Sequence, residues 1–159
     1  KPAPDDGWPL LREAQRQVAA ADPHAELVVT IDVGETVDIH PLKKKEVAAR
    51  VAQCFNRLVD GRKVALSPVV TQATQQGRSI TLIFDQELQA ATAIAFDVVA
   101  ADGRQLAATG HTTGRKTVVV DAPTEQIVKV RYAWRNDPQG SLLRSATGLP
   151  ASPFEWPAK

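Results

Sequence analysis

Asp38 and His40, two positions apart, are the pair of side chains in this chain best suited to chemistry. A histidine can act as general base toward a hydroxyl nucleophile when a carboxylate fixes its tautomer and stabilises the imidazolium. Asp38 is near enough in sequence to do this within a turn, with Ile39 facing away, and Glu35 and Asp32 are alternative carboxylates. We therefore hypothesise that Asp38 and His40 form part of a catalytic site.

A structural interpretation competes with this hypothesis. Asp38 and His40 can also cap the helix that begins near Leu42, with Pro41 stiffening the chain before it. The pattern D-x-H is only three residues long, so taken alone it favours the structural interpretation.

The nucleophile that the chemistry requires is not evident. The sequence has no G-x-S-x-G or G-D-S block, which are the patterns that present a reactive serine. All five serines belong to the second half or the tail of the chain, where we expect surface or turn positions: Ser67, Ser79, Ser141, Ser145 and Ser152.

Metal and cofactor chemistry have no clear motif. His24 follows a turn and His111 lies in a Gly/Thr-rich hairpin, so we expect both to be solvated. The three histidines lack metal-ligand spacing, which argues against zinc. No Gly-rich phosphate loop occurs, so we expect no cofactor.

Residues 8–60 show the pattern helix, strand, helix. Apolar residues recur at helical spacing from Leu10 to Ala21, and Asp22 and Pro23 end that helix. Residues 26–32 (ELVVTID) are β-branched and almost continuously apolar, which is typical of a buried parallel strand. A second helical stripe runs from Val47 to Val59, with Arg50 and the lysines before it on the solvated side.

One parallel strand with two helices cannot form a domain by itself, because both strand edges would be exposed. We infer that this strand joins a sheet supplied by sequence outside these 159 residues. The chain begins at Lys1 and contains no Met, so we expect a mature or cleaved product.

Residues 62–135 change to a period of two. Apolar side chains alternate at Ile80, Leu82 and Phe84, and Asp102 with Gly103 indicates a hairpin turn. Val128, Val130, Tyr132 and Trp134 are expected on one face of a longer strand. This spacing of short strands predicts an antiparallel β-sandwich. The tail over residues 136–159 carries apolar groups such as Phe154 and Trp156, so we expect it to pack onto the rest of the chain.

Composition excludes several classes of function. The net charge is +1 with mixed signs, which gives no electrostatic basis for binding nucleic acid or an anionic membrane. No apolar run is long enough to span a bilayer. Cys54 is the single cysteine, and its place in a helical stripe predicts a buried, inert thiol.

Several stretches, in order along the chain, resemble the sialate O-acetylesterase family of SGNH-type carbohydrate esterases. Residues 8–15 (WPLLREAQ) resemble its W-x-x-L-R-E-A-Q helix. Residues 29–34 (VTIDVG), followed by residues 38–41 (DIHP) and Lys44, resemble its final strand and catalytic-histidine loop. Residues 130–134 (VRYAW), with Asn136 and Pro138, resemble its last long strand, and residues 148–154 (GLPASPF) resemble its C-terminal tail.

This resemblance implies a fold and a reaction. Residues 1–60 would be the C-terminal helix–strand–helix part of an SGNH (flavodoxin-like) three-layer α/β domain, and residues 61–159 a β-sandwich domain. His40 would be the general base and Asp38 the triad acid in the removal of O-acetyl groups from sugars by a serine. Many SGNH enzymes place the acid three residues before the histidine, where this chain has Val37.

The resemblance also implies partners and a compartment. The nucleophilic serine and the oxyanion hole would lie in the N-terminal portion of the same enzyme, so the chain alone would be catalytically incomplete. Substrates would be acetylated carbohydrates such as O-acetylated sialic acids, xylan or xyloglucan. The compartment would be extracytoplasmic, either the bacterial periplasm or the exterior of the cell.

A second hypothesis is a non-catalytic carbohydrate-binding or structural module centred on residues 62–159. Tyr132, Trp134 and Trp156 could stack on sugar faces. However, Tyr132 and Trp134 share a face with valines, so core packing is the better expectation for them. A structural module would instead brace the α/β part of the protein.

Overall fold

The computed structural model describes residues 7–38, 40–138 and 140–158, a mixed α/β chain. Two helices come first, α1 (Gly7–Ala21) and α2 (Lys44–Leu58). α1 ends immediately before Asp22 and Pro23, as predicted. No helix in this described part of the chain is long and apolar enough to cross a membrane.

Seven antiparallel strands follow in the described residues and form one sheet in the order β1-β2-β5-β4-β3-β6-β7. The first and last strands in this order contact each other, so the sheet is nearly closed. The predicted antiparallel architecture is confirmed, as one curled sheet rather than two separate ones. The strands are β1 (Val70–Gln76), β2 (Ser79–Phe84), β3 (Ile94–Ala100), β4 (Gln105–Gly114), β5 (Thr117–Asp121), β6 (Ile127–Tyr132) and β7 (Phe154–Pro157).

The core lies inside the curl of the sheet and follows the period-two pattern. Ile80, Leu82 and Phe84 of β2 are fully buried, as are Val118 and Val120 of β5. Alternation places these side chains on the inner face because successive residues of a strand point to opposite sides. Burial of such apolar side chains is the main favourable contribution to folding.

An aromatic cluster joins the last strand to this core. The ring of Phe154 lies 5.8 Å from that of Tyr132 and 6.3 Å from that of Phe84. The Tyr132 hydroxyl accepts a 2.7 Å hydrogen bond from the backbone N–H of Leu143. Burial raises the pKa of Tyr132 far above its usual value, so this hydroxyl stays neutral. The prediction that the tail packs onto the chain is confirmed, and the tail also supplies β7.

The expectation that Val128 shares the inner face is wrong. Val98 pairs with Val130 and Val99 with Lys129, but the next residue, Ala100, pairs with Ile127. This irregularity is a β-bulge, which inserts one extra residue and reverses the alternation beyond it. Ile127 is therefore buried, and Val128 is 43% exposed.

Residues 26–32, predicted as a buried parallel strand, do not form one here. Residues 25–30 have no regular secondary structure, and no described strand pairs with them. A strand exists only where a neighbour takes its backbone hydrogen bonds, and every strand of the sheet pairs within residues 70–157. The flavodoxin-like three-layer arrangement is thus not supported by the fold of this chain.

Helix α1 packs with its polar face inward. Glu13 is buried and binds Arg16 through two hydrogen bonds of 2.6 and 2.9 Å. A Glu13 carboxylate oxygen also accepts a hydrogen bond from the Glu155 backbone N–H of β7, at 3.2 Å. Leu10, Leu11 and Val18, which form the predicted apolar stripe, are exposed.

Helix α2 shows the same inversion. Its stripe residues Val51, Phe55 and Leu58 are exposed, whereas Arg50 lies largely buried against residues 26–32. Our expectation that Arg50 lies on the solvated face is therefore wrong. Cys54 is buried as predicted, and burial raises the pKa of its thiol.

Candidate functional site

Asp38 and His40 lie together on the loop between residues 33 and 42. The Asp38 carboxylate accepts a 2.7 Å hydrogen bond from the His40 backbone N–H, and the same oxygen lies 3.5 Å from Nδ1 of the His40 ring. The His40 side chain is 78% exposed and that of Asp38 56%. Ile39, expected to face away, lies outside the described residues.

This arrangement matches one requirement of a serine-hydrolase site. A carboxylate beside Nδ1 leaves Nε2 available to accept a proton from a hydroxyl. The loop also exposes two apolar side chains, Val37 and Leu42, near the histidine. The pair is therefore accessible, and apolar surface flanks it.

The same local geometry occurs a second time, at Asp22 and His24. The Asp22 carboxylate accepts a 2.8 Å hydrogen bond from the His24 backbone N–H and lies 3.3 Å from its Nδ1. Both arrangements are turns in which an aspartate binds the backbone two residues on. The geometry alone does not distinguish a catalytic pair from such a turn, and Asp22 with His24 provides a natural internal control.

Asp32, one of the alternative carboxylates, is bound to two guanidinium groups. Arg50 donates to its two oxygens at 2.6 and 3.0 Å, and Arg144 donates at 3.0 Å. Burial acts to raise the pKa of Asp32, but the hydrogen bonds from Arg50 and Arg144 outweigh it and lower the pKa overall. Asp32 is therefore an ionised structural anchor, while Glu35, the other alternative, is exposed on the loop.

Among the described residues, no hydrogen bond joins a serine hydroxyl to a histidine ring. Ser145 and Ser152 are buried, so neither occupies the surface, although Ser145 does open a turn in which its carbonyl accepts from the Gly148 backbone N–H at 2.9 Å. The Ser145 hydroxyl accepts from the Leu149 backbone N–H at 3.0 Å, and the Ser152 hydroxyl donates to the Pro153 carbonyl at 3.1 Å. Both hydroxyls satisfy the backbone of the tail.

Other classes of site find little support in the described residues. No group of three or more His, Cys, Asp or Glu side chains is placed to hold a metal ion there. Tyr132 and Trp134 are buried rather than presented as a sugar-stacking platform. The Arg131 guanidinium lies 4.9 Å from the Trp134 ring centre, and the buried indole N–H of Trp134 has no hydrogen-bond partner among the residues that the structure describes.

Two clefts lie away from the Asp38–His40 loop. One of about 680 Å³ is bordered by α1, β1 and β7, and contains Arg16 and Trp156. The other, of about 420 Å³, is lined by β3, β4 and the residues after β6, including Trp134 and Arg135. Neither cleft is lined by Asp38 or His40, so the loop does not form an enclosed pocket with these surfaces.

Sequence reasoning missed the arginines that attach the helices to the sheet. Arg12 of α1 donates to the backbone carbonyls of Arg135 and Asn136 at 2.7 and 2.8 Å. Arg144 binds Asp32 across 112 positions of sequence. Local patterns carry no signal for pairs so far apart.

Comparison with solved structures finds a similar protein. A crystal structure of a novel carbohydrate acetylesterase from Xanthomonas citri superposes with a TM-score of 0.71 over 79% of this chain, at 32% sequence identity. This chain is similar in structure to part of a carbohydrate acetylesterase. It spans 31% of the length of that protein.

Comparisons of sequence alone find no similar protein. No protein-family model and no curated protein sequence matches the chain. The structural match supports the carbohydrate-acetylesterase part of the resemblance drawn from sequence. The narrower resemblance to sialate O-acetylesterases stays a prediction.

Proposed function

We propose that this chain is the C-terminal part of an enzyme that removes O-acetyl groups from carbohydrates. The observation that carries the proposal is the match to a solved carbohydrate acetylesterase at 32% identity and a TM-score of 0.71. The ordered sequence stretches that resemble sialate O-acetylesterases lead to the same reaction class.

In the proposed reaction, a serine hydroxyl attacks the acetyl carbonyl while Nε2 of His40 takes the hydroxyl proton. His40 then gives that proton to the departing sugar oxygen, which leaves an acetyl-serine. Water attacks this ester while His40 takes one of its protons. His40 then returns that proton to the departing serine oxygen, which releases acetate and restores the serine hydroxyl. Asp38, 3.5 Å from Nδ1, stabilises the imidazolium in both steps.

The serine and the oxyanion hole are proposed to come from the N-terminal portion of the same enzyme. The support is the surface that α1 and α2 leave uncovered: Leu11 and Val18 on α1, and Val51 and Phe55 on α2. Between the helices runs the β-branched segment 26–32, which pairs with no strand in the described part of the chain. Two helices and one strand-like segment without a partner are what remains of an α/β layer when its sheet lies on other polypeptide.

The β-sheet unit (residues 61–159) is proposed to brace the helical part of the chain (residues 7–60) rather than to bind sugar. Its support is the burial of Tyr132 and Trp134 and the contacts that Arg12 and Arg144 make between the two parts. The proposed substrates are acetylated carbohydrates, with O-acetylated sialic acid and acetylated xylan or xyloglucan as the candidates. An extracytoplasmic location is proposed by analogy with the family that the sequence resembles.

Acetate release tests the proposal. Three samples are incubated with acetylated xylan, an O-acetylated sialic acid and a small acetyl ester. They are this chain alone, the N-terminal portion of the proposed enzyme alone, and the two polypeptides together. We expect acetate only from the combined polypeptides, and none from deacetylated xylan. Intact-mass analysis should find the transient acetyl group on the N-terminal portion. Failure of the combined polypeptides to cleave any acetyl ester would reject the proposal.

A further inference from the structure

Arg144 connects the sheet to the start of the loop that carries Asp38 and His40. Its guanidinium donates to Asp32 Oδ2 at 3.0 Å and to the Gly148 carbonyl at 2.9 Å. Asp32 is the residue immediately before residues 33–42. The contact therefore joins the beginning of this loop to the β-sheet unit.

The Arg144 side of the contact is firmly held. The Arg144 carbonyl accepts a 2.9 Å hydrogen bond from the Gln89 backbone N–H, and Arg144 forms an antiparallel bridge with Pro150. The neighbouring Ser145 N–H donates to the Leu149 carbonyl at 2.8 Å. Arg144 thus projects from backbone that is hydrogen-bonded to the connections between strands of the β-sheet unit.

The Asp32 side is held from the far end of the loop. Arg50, on the helix that follows the loop, binds both Asp32 oxygens and also donates to the Val29 carbonyl at 2.7 Å. One carboxylate therefore ties together the start of the loop, the helix after the loop and the sheet. The Asp32 side chain is 10% exposed, so these bonds are largely shielded from water.

We propose that Arg144 is a positioning residue, which sets the orientation of the Asp38–His40 loop through Asp32. The proposal rests on the esterase function proposed above. Arg50 alone already neutralises Asp32, so a second guanidinium adds net positive charge at a partly buried place. A buried ionic group of this kind is weak evidence of added stability, and the proposal therefore assigns the second guanidinium a geometric role. Arg144 acts through Asp32 and touches no reacting atom.

The first test is nuclear magnetic resonance of the ¹⁵N-labelled chain. In R144M we expect the amide signals of residues 33–38, His40 and Leu42 to shift or broaden, while those of Ile80 and Val120 in the core stay unchanged. R144K should shift the loop signals less, because its ammonium keeps the charge. It should still shift them, because that nitrogen lies one bond nearer the backbone than Arg144 Nη1, the atom that donates both hydrogen bonds. The control is R115M, which removes an exposed pair between Arg115 and Glu87 within the β-sheet unit, and should leave the loop signals in place.

Unmoved loop signals in a folded R144M protein would overturn the proposal. Should R144M fail to fold, R144K decides the question in the same way. If the loop signals of R144K coincide with those of the unmodified chain, the proposal is equally overturned.

The second test is kinetic and uses the chain together with its N-terminal portion. R144M should lower kcat on a small acetyl ester by about 10- to 100-fold with little change in KM, since a misplacement of about 1 Å costs that much. An unchanged kcat would overturn the positioning role. If the unmodified proteins show no esterase activity, the proposed function fails, and the resonance experiment still decides whether Arg144 orients the loop.

Discussion

The carboxylate of Asp38 accepts a 2.7 Å hydrogen bond from the backbone N–H of His40 and lies 3.5 Å from Nδ1 of the His40 ring. One oxygen therefore shapes the turn and faces the imidazole. These two tasks can be separated by substitution, because asparagine retains the oxygen and loses the charge.

We expect Asp38→Asn to preserve the turn and to lower kcat by about 10⁴-fold, since a neutral amide stabilises the imidazolium poorly. KM for a small acetyl ester should change little. Steady-state kinetics of the chain with its N-terminal portion measures both. Glu35→Gln is the comparison, and we expect nearly unchanged kinetics. A larger loss for Glu35→Gln than for Asp38→Asn would identify Glu35 as the acid.

Asp32 should make the stability of the chain depend on acid pH. Its pKa is lowered in the folded state, so its contribution is present above the unfolded pKa of about 3.9. That contribution is lost as the pH falls through the lowered folded pKa. Asp32→Asn should cost about 1–3 kcal/mol near pH 7, as expected for lost charged hydrogen bonds. Urea unfolding of both proteins across this pH range measures the difference, which should shrink in acid. A difference independent of pH would contradict this account of Asp32.

Phe55 tests whether the exposed helix face is a docking surface. Its ring is 56% exposed, so we expect Phe55→Gln to change the free energy of unfolding of the chain by no more than about 0.5 kcal/mol. Association with the N-terminal portion should weaken at least tenfold, as for a buried aromatic anchor. Denaturant unfolding and titration calorimetry measure the two effects.

The matched control for Phe55 is Val128→Gln, which alters an exposed apolar side chain on β6. We expect no change in association, because Val128 belongs to the sheet rather than to the helical face. Equal weakening by the two substitutions would argue against docking through α2.

Gly110 should not tolerate a side chain. A Cβ at this position would lie 2.5 Å from Phe96 Cε2 and 3.2 Å from the Val119 carbonyl oxygen. The Phe96 ring is buried 5.4 Å from that of Tyr132, so it has little room to move. We expect Gly110→Ala to cost about 1–3 kcal/mol from overpacking, measured by urea unfolding.

Gly114, at the end of the same strand, provides the comparison. A Cβ there would come no nearer than 3.6 Å to Thr117, which is ordinary contact. Gly114→Ala should leave the free energy of unfolding almost unchanged. Equal losses at the two glycines would show that packing against Phe96 is not the cause.

The strands of the sheet were predictable because a strand that is buried on one face has apolar residues at alternate positions. Ile80, Leu82 and Phe84 are inside as their spacing predicted. The exposure of Val128 was not predicted, because a β-bulge adds one residue between neighbouring pairs and no local sequence pattern indicates this bulge. The closeness of Asp38 to His40 was also predictable, since it depends on a turn of three residues.

The helical part illustrates a different limit. The β-branched residues 26–32 favour a strand, but a strand also needs a neighbour, which the described residues do not provide. The pairing of Arg50 and Arg144 with Asp32 could not be predicted for a related reason. It depends on how elements distant in sequence pack together, and arginine and aspartate are residue types that are usually exposed.

The most direct measurement of the central claim compares His40→Ala with His24→Ala in acetyl-ester hydrolysis by the chain with its N-terminal portion. The two histidines share the same turn geometry, so the local effect of removing an imidazole beside an aspartate should be the same in both variants. We predict that His40→Ala lowers kcat by about 10⁴-fold or more, as for a member of a catalytic triad, and that His24→Ala keeps nearly full activity. A loss of less than tenfold in His40→Ala would contradict the assignment of His40 as the catalytic base.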